Sequence, residues 1–371
     1  MIVGILKEIK TEENRVSMTP GGAELMVQDG HTVLVETNAG VSSGFDDFSY
    51  VEHGAEIVVA PEEIYGRAEM IMHVKEPQPS EYGLMREDQI IFTYLHLAVS
   101  EELTQTLIEK NSINIAYETI QKEDGTLPLL TPMSEVAGRM AIQQGSKYLE
   151  MEHGGQGILL GGVPGVDPGT VMILGGGVVG TNAAKTACGL GAKVYVLDKN
   201  LDRLRYLSDI MPSNCFLLMS KPATIRRFIP IADVIVGAVL IPGAKAPKLV
   251  TREMLKMMKK GAVLVDVSID QGGCFETSRP TTHADPIYNI DGIVHYCVSN
   301  MPGALPKTST LALTNATLPY ALEIANKGWE KAMKDNSEIK CGANVVKGKV
   351  TCKGVADALG YDYTPIDELL N

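Results

Sequence analysis

The sequence predicts an α/β protein with two doubly wound, mostly parallel sheets, in which the second domain is inserted into the first. Strand-like and helix-like segments alternate through the first third of the 371 residues, and a second alternating series begins near Val171. Such alternation is typical of parallel sheets wrapped by helices. The chain is also long enough for two domains.

The first third is expected to hold six strands separated by helices. The predicted strands are 2–6, 32–36, 56–59, 70–75, 90–96 and 114–118, and two of the predicted helices are 19–29 and 100–110. Residues 131–150 are predicted to form a helix with Ser134 as its N-cap. The glycine-rich residues 154–169 are predicted to form a loop.

The second series has strands near Val171, Lys193, Cys215, Asp233, Ala262 and Ile293. A helix is predicted to follow from Pro306 to Lys327, with apolar residues between 308 and 322 and a kink at Pro319. The last ~45 residues are too short for a third domain, so we expect them to pack on the first. The predicted domains are 1–130 with 306–371, and 131–305. The active site is expected in the cleft between them.

Residues 171–180 combine a buried strand, a glycine turn and the start of a helix. Gly175, Gly177 and Gly180 match the G-x-G-x-x-G spacing, in which the glycines permit a tight turn, close approach of a pyrophosphate and helix–strand packing. The next strand ends at Asp198, where a carboxylate can accept hydrogen bonds from ribose hydroxyls and repel a 2′-phosphate. The pattern predicts a Rossmann fold that binds NAD. An ordinary βαβ unit with a capping aspartate is the alternative.

Composition narrows the function class. The net charge of −12 and the lack of a basic run disfavour nucleic acid or an anionic membrane as a partner. The apolar runs are shorter than the ~20 residues of a membrane helix, and the N-terminus resembles a strand rather than a signal peptide. The six cysteines form no C-x-x-C pair, so we expect reduced thiols in a cytoplasmic protein.

Several chemically useful side chains stand at predicted strand ends, where ligands of open α/β sheets bind. They are Arg15, Lys75, His96, Asp270 and Asn300. Two cations can clamp a small carboxylate, a histidine can move a proton near neutral pH, and a carboxylate can orient water or ammonium.

Each candidate has a structural alternative. Lys75 could be a solvated lysine at the end of a strand, and His96 could cap a helix or strand end. Arg15 could lie on the surface, and Asp270 could cap the glycine turn that follows it. The remaining histidines show no metal-ligand spacing and are interpreted as structural, with His153 the least certain of them.

The chain resembles the L-alanine dehydrogenase family over essentially its full length. The resemblance rests on residues 4–10 with 13–16, Lys75-Glu-Pro, Tyr94-Leu-His-Leu-Ala, residues 157–165 leading into the glycine motif, 238–247, 265–273, Asn300-Met-Pro-Gly and Lys307-Thr-Ser-Thr. It implies reversible, NAD-dependent oxidative deamination of L-alanine to pyruvate and ammonium by a homohexamer.

By position, the resemblance implies that Arg15 and Lys75 hold the substrate carboxylate and keto oxygen. His96 would be the general acid/base, and Asp270 would position water or ammonia. The implied cofactor residues are Gly175, Gly177, Gly180, Ser134, Val178, Val179, Asp198, Arg203, Ser220, Val239, Leu240, Val267, Ser268, Ile269, Asp270, Arg279, Val298, Ser299, Asn300 and Met301. Some members bind magnesium through a Glu and a His; Lys327 stands where that His would fall after Glu323, so no metal is expected.

Two other functions are compatible with this sequence. One is the soluble NAD-binding portion of a proton-pumping nicotinamide nucleotide transhydrogenase, a group that lacks a histidine at the position of His96. The other is a non-catalytic NAD sensor, which predicts cofactor binding without turnover. The range of small amino acids accepted is not predicted either, because one methylene is worth only about 1–3 kcal/mol of discrimination.

Overall fold

A computed structural model of the chain describes residues 1–239 and 246–370. The chain divides into two compact units, one formed by residues 1–133 and 305–371 and the other by residues 134–304. Each unit contains one sheet with helices between its strands, which confirms the predicted α/β class. None of the described helices is long and apolar enough to span a membrane.

The described residues of the first unit form eight strands, which are numbered along the whole chain. They are β1 (Ile2–Ile5), β2 (Thr32–Glu36), β3 (Glu56–Val58), β4 (Met70–Met72), β5 (Ile90–Thr93), β6 (Ile113–Ala116), β14 (Ala343–Val346) and β15 (Lys349–Val350). Its helices are α1 (Pro20–Gln28), α2 (Asp47–Glu52), α3 (Pro61–Arg67), α4 (Glu101–Glu109), α10 (Pro306–Lys327), α11 (Trp329–Asp335), α12 (Ser337–Cys341) and α13 (Lys353–Leu359).

The order of this sheet is β15-β14-β6-β5-β4-β1-β2-β3. The strands β1 to β6 are parallel, while β14 pairs antiparallel with β6 and β15 antiparallel with β14. All residues of β4, β5 and β6 are buried, as expected of strands covered on both faces. The order reverses between β1 and β4, which is where such sheets form a ligand crevice.

In the second unit, the described residues form seven strands and five helices. The strands are β7 (Thr170–Leu174), β8 (Lys193–Asp198), β9 (Cys215–Met219), β10 (Val234–Gly237), β11 (Val263–Asp266), β12 (Ile287–Ile290) and β13 (Ile293–Tyr296). The helices are α5 (Thr131–Lys147), whose first turn precedes the unit boundary, α6 (Val178–Gly189), α7 (Leu201–Ile210), α8 (Pro222–Phe228) and α9 (Arg252–Leu255).

The sheet order is β12-β13-β11-β10-β7-β8-β9, parallel except for the edge strand β12. Counted within the unit, the parallel strands follow the dinucleotide-binding order 3-2-1-4-5-6. The order reverses between β7 and β10, so the glycine turn after β7 lies at the switch point.

Several predicted boundaries were wrong. Helix α5 begins at Thr131, which places Ser134 inside the helix instead of at its N-cap. By contrast, helix α10 has the predicted bounds, Pro306–Lys327, and Pro319 lies inside it. The strands before Lys75 and His96 end at Met72 and Thr93, earlier than predicted. The sequence reading also missed the antiparallel strands β12, β14 and β15.

Candidate active site

Three predicted substrate-site residues follow neighbouring parallel strands of the first unit. Arg15 lies in the loop after β1, Lys75 lies three residues after β4, and His96 lies three residues after β5. Since β1, β4 and β5 are adjacent and parallel, their carboxyl ends meet at one edge of the sheet. The fold therefore gathers the three side chains at the switch point of this sheet.

Arg15 is buried rather than on the surface, with only 2% of its area exposed. Its Nε and Nη2 donate to Glu13 at 2.6 and 2.5 Å, and its Nη1 lies 3.0 Å from the sulfur of Met133. Burial alone would lower the pKa of Arg15, but the hydrogen bond and charge of Glu13 outweigh it and raise the pKa. The guanidinium is thus a fixed, permanent charge in a dry environment.

Lys75 is half-buried, and the positive charge of Arg15 acts on its ammonium. Burial lowers the pKa of Lys75, and the positive charge of Arg15 lowers it further. Its backbone is anchored by Glu8, whose carboxylate accepts the N–H groups of Val74 and Lys75 at 2.6 and 3.3 Å. An anion that met both cations would relieve this repulsion.

His96 has a left-handed backbone, with φ 51° and ψ 36°, which is uncommon for a residue other than glycine. The carboxylate of Glu118 accepts its N–H at 2.6 Å, accepts the N–H of Leu95 at 3.1 Å, and lies 4.0 Å from its Nδ1. The ring stacks on Tyr94 with 5.9 Å between centroids, and 44% of the side chain is exposed. Glu118 therefore holds an accessible imidazole in a strained conformation.

The three glycines of the G-x-G-x-x-G turn differ in whether the structure leaves room for a Cβ. Gly175 has φ +103°, and a Cβ there would lie 2.5 Å from the Ala238 carbonyl oxygen. A Cβ on Gly180 would lie 1.8 Å from the Gly175 carbonyl oxygen, so α6 can pack on β7 only without it. A Cβ on Gly177 would meet open space, and no described side chain caps the helix there. The first turn of α6 thus faces an open cradle suited to phosphate.

Asp198 and Arg203 brace the glycine turn. The Asp198 carboxylate accepts the N–H of Gly176 at 2.7 Å and that of Asn200 at 2.8 Å. Arg203 donates from Nε to the Gly176 carbonyl at 2.6 Å and from Nη2 to the Thr181 hydroxyl at 2.7 Å. Each Asp198 oxygen retains a further lone pair that can accept a ligand hydroxyl.

Most of the other predicted cofactor residues also follow strands of this sheet. Ser220 follows β9 and Val239 follows β10. Val267, Ser268, Ile269 and Asp270 follow β11, and Val298, Ser299, Asn300 and Met301 follow β13. The Ser268 hydroxyl donates to the Val239 carbonyl at 2.7 Å and accepts its N–H at 3.1 Å, which ties two of these strand ends together. Leu240 falls outside the described residues.

Asp270 is exposed, in a loop closed by the buried carboxylate of Asp266. One Asp266 oxygen accepts the Ser268 N–H at 3.1 Å, and the other accepts the Cys274 N–H at 2.9 Å and the Ser278 hydroxyl at 2.5 Å. Burial raises the pKa of Asp266, and these hydrogen bonds oppose the rise. The loop that carries Asp270 is therefore held at both ends.

The predicted cofactor residues also include Ser134, Arg279 and Asn300. Ser134 lies one turn before Gly138, where a Cβ would meet the Val179 carbonyl oxygen at 2.3 Å, so this part of α5 packs close to the start of α6. Arg279 is exposed and stacks on Tyr288 at 4.1 Å. Asn300 has φ 55°.

Sequence reasoning missed the acidic residues that hold the candidate groups, namely Glu8, Glu13, Glu118 and Asp266. Glu118 and Asp266 stand at or just after strands, which is a signal that could have found them. Glu8 and Glu13 lie near Arg15 in sequence, but only the fold shows which groups they bond.

Two clusters of carboxylates are relevant to the prediction about metal binding. Lys327 lies 2.8 Å from Glu323 and 3.0 Å from Asp335, so a side-chain cation already neutralises those carboxylates. His153 lies 3.8 Å from Glu150 and 3.6 Å from Glu152, and both carboxylates are exposed.

Two family models match most of the chain, and relatives match its full length. The model "Alanine dehydrogenase/PNT, N-terminal domain" matches residues 4–137, and "Alanine dehydrogenase/PNT, C-terminal domain" matches residues 141–353. The alanine dehydrogenase of Bacillus subtilis (strain 168) is 56% identical, covering 100% of this chain and 98% of the relative. That of Methanococcus maripaludis is 55% identical, covering 100% of each.

Solved structures show the same likeness. An L-alanine dehydrogenase superposes with a TM-score of 0.94 and 49% identity, over 97% of this chain and 99% of the other. A transhydrogenase from Sinorhizobium meliloti superposes with a TM-score of 0.82 over 95% and 99%, but at 22% identity it shares the fold alone. On its sequence matches and on its structure, this chain belongs to the alanine dehydrogenase/PNT family.

Proposed function

We propose that this chain is an NAD-dependent L-alanine dehydrogenase, which converts L-alanine reversibly to pyruvate and ammonium. The observation that carries the proposal is the set of Arg15, Lys75 and His96 at one sheet edge, in a chain 55–56% identical over its full length to proteins named alanine dehydrogenase. Two cations and one exposed imidazole match the needs of a small 2-oxo acid whose reaction moves protons.

We assign dinucleotide binding to the second unit, as a Rossmann domain, and substrate binding to the first. The open cradle at Gly177 fits a pyrophosphate, because the N–H groups at the start of α6 point to it and no Cβ fills it. A dinucleotide held there would supply the hydride acceptor for oxidation at the substrate Cα and the hydride donor for the reverse reaction.

NAD is favoured over NADP by the groups around the adenosine ribose. The Asp198 carboxylate can accept from ribose hydroxyls and would repel a 2′-phosphate. Arg203 is engaged with Gly176 and Thr181, so its guanidinium is directed at the protein's own turn.

In the first unit, we assign Arg15 and Lys75 to the carboxylate and keto oxygen of pyruvate. The Glu13 pairing orients Arg15 before substrate arrives, so no ordering is needed at the moment of binding. Lys75 also stabilises negative charge on the substrate oxygen as it develops, as a preorganised cation should.

His96 is the proton carrier in this proposal, and Asp270 is its partner in handling water or ammonia. His96 takes a proton as water adds to the imine carbon and returns it as the amine leaves. Asp270, on its clamped loop, orients the water or the ammonium.

The test is an assay of NADH appearance on mixing the protein, NAD and L-alanine, beside D-alanine and larger L-amino acids. We expect turnover with L-alanine and little with larger side chains. A folded His96→Ala variant should lose turnover and keep NAD binding, whereas His53→Ala, on α2 of the same unit, should keep both. Near wild-type turnover in His96→Ala would contradict the role of His96.

The same assay separates the dehydrogenase from both alternatives. A transhydrogenase-like protein or an NAD sensor would bind NAD and leave every amino acid unchanged. The presence of His96 beside Arg15 and Lys75 favours the dehydrogenase over both.

We extend the proposal to the assembly, a homohexamer as the family resemblance implies, and to its location, the cytoplasm, which the free cysteines favour. Light scattering of the purified chain should give six copies per particle. A monomer at assay concentration would overturn this part and leave the catalytic proposal standing.

A further inference from the structure

A buried ionic cluster of three residues lies next to Lys75. His73, two residues before Lys75, is 1% exposed, and its ring bridges two carboxylates that are themselves buried, Glu8 and Glu81. Its Nδ1 lies 3.2 Å from Glu8 Oε1, and its Nε2 lies 3.1 Å from Glu81 Oε1. We call these three residues the Glu8–His73–Glu81 cluster.

The geometry determines the protonation of His73. A neutral imidazole has one N–H and one lone pair, so one carboxylate would face a lone pair at close range. Only the imidazolium donates to both. Burial alone would lower the pKa of His73, but the charges and hydrogen bonds of Glu8 and Glu81 raise it to about 10.

Besides the two carboxylates, a tyrosine and a further glutamate in the described part of the chain act on the ring. The Tyr65 hydroxyl, from α3, lies 3.4 Å from both His73 Nε2 and Glu81 Oε1, and burial raises its pKa well above the usual value. Glu36, at the end of β2, also interacts with the His73 charge. His73 is therefore the positive centre among several acidic groups.

The same two carboxylates hold the backbone around Lys75. Glu8 accepts the N–H groups of Val74 and Lys75 at 2.6 and 3.3 Å. Glu81 accepts the N–H of Gln78 through its other oxygen at 2.7 Å. Residues 74–78 are thus anchored at both ends, and His73 joins the two anchors.

We propose that His73 is a positioning residue for Lys75: as an imidazolium it joins Glu8 and Glu81, which hold residues 74–78 and thereby fix the Lys75 ammonium. The proposal rests on the role of Lys75 in binding pyruvate. Without the imidazolium, two buried carboxylates face each other, and at least one must take up a proton or turn toward water. Either change releases the N–H groups that it accepts.

The first test concerns the proton itself and needs no turnover. Neutron diffraction from crystals of the whole protein, exchanged in D₂O near pH 8, should show deuterium on both ring nitrogens of His73. Deuterium on one nitrogen alone would overturn the proposal.

The second test compares His73→Gln with the control His53→Gln. Amide exchange read by mass spectrometry should speed up at residues 74–78 in His73→Gln and stay unchanged in β5. The KM for pyruvate should rise about tenfold or more, while the KM for NADH stays within about twofold. Unchanged exchange, or equal effects on both KM values, would contradict a positioning role.

A third variant covers the case in which His73→Gln does not fold. Glu81→Gln keeps an acceptor for Gln78 but removes one of the charges that hold the His73 proton. We expect residues 74–78 to exchange as in the wild type at pH 6 and faster than it at pH 9. The same ratio at both pH values would overturn the proposal.

These tests also separate this proposal from the proposed function. If no amino acid is turned over, the dehydrogenase assignment fails, while neutron diffraction and amide exchange still decide whether His73 holds residues 74–78.

Discussion

Lys75 is in a place where burial and a neighbouring guanidinium both disfavour its charged form. Its pKa is lowered from the usual 10.5, first by desolvation and then by Arg15. A lysine with a lowered pKa loses its proton at a lower pH than a solvated one, and with it the ability to bind a carboxylate.

We therefore expect pyruvate binding to weaken as pH rises, beginning below pH 10.5. The sign follows because Lys75 is charged below its own pKa and neutral above it. The measurement is the Kd of pyruvate for the NADH-loaded protein without ammonium, by calorimetry. Lys75→Arg should show no such loss, since arginine stays charged. The same pH dependence in both proteins would refute the assignment.

Glu118 controls His96 through the backbone, since it accepts the N–H groups of Leu95 and His96. In Glu118→Ala both amides lose their acceptor, and the left-handed His96 should relax. We expect kcat to fall by about 10²-fold, because a small misplacement of a reacting group costs that much, while NAD affinity stays constant. Steady-state kinetics measure both, with the exposed Glu109→Ala as control. An unchanged kcat would show that Glu118 is dispensable.

At the level of elements, two strands end earlier than predicted because a carboxylate accepts the N–H groups of the residues that follow each strand. Strand β4 stops at Met72 because Glu8 takes the N–H groups of Val74 and Lys75, and β5 stops at Thr93 because Glu118 takes those of Leu95 and His96. The apolar pattern predicted longer strands at both places. It could not show the shorter ones, because the competing acceptors come from distant parts of the sequence.

The glycine turn gives a matched pair of substitutions at the level of elements. Gly180→Ala places a Cβ 1.8 Å from the Gly175 carbonyl oxygen, so it should destabilise the fold by about 1–3 kcal/mol through overpacking. Gly177→Ala meets open space and should leave thermal stability near that of the wild type. Its methyl group would occupy the phosphate cradle, so NAD affinity should fall. Denaturation and NAD titration of both variants check this, and unchanged NAD binding in Gly177→Ala would remove the cradle from the site.

At the level of the whole molecule, one strand order occurs twice. Both units place six parallel strands in the order 3-2-1-4-5-6, and in both the candidate residues follow the strands beside the switch point. Arg15 and Lys75 flank it in the first unit, and Gly175 and Val239 flank it in the second. One architectural rule therefore accounts for both sets of residues.

A ligand that binds the folded chain should stabilise it as a whole. We expect NAD at one hundred times its Kd to add about 2.7 kcal/mol to the free energy of unfolding, and NADP at the same concentration to add less. Thermal or denaturant unfolding with each nucleotide measures the difference. Asp198→Ser should reduce the difference in stabilisation between NAD and NADP, because it removes the charge that repels a 2′-phosphate. Equal stabilisation of the wild type by both nucleotides would contradict the NAD preference.

The sequence by itself determined the fold class, the glycine turn and the identity of the candidate groups. These depend on local patterns: apolar runs that alternate with helices, glycine at positions where a Cβ would collide, and polar residues where strands end. The family resemblance added the proposed reaction, because it spans the whole chain.

Only the tertiary structure decided which carboxylate contacts which candidate residue. Glu8 is 65 residues from His73, and Glu118 is 22 residues from His96, so no local spacing connects either pair. Whether His73 is neutral or charged depends on two carboxylates brought to its ring from different loops. Such contacts arise from the order of strands in the sheet, and charge inside a protein is set by what lies within a few ångströms.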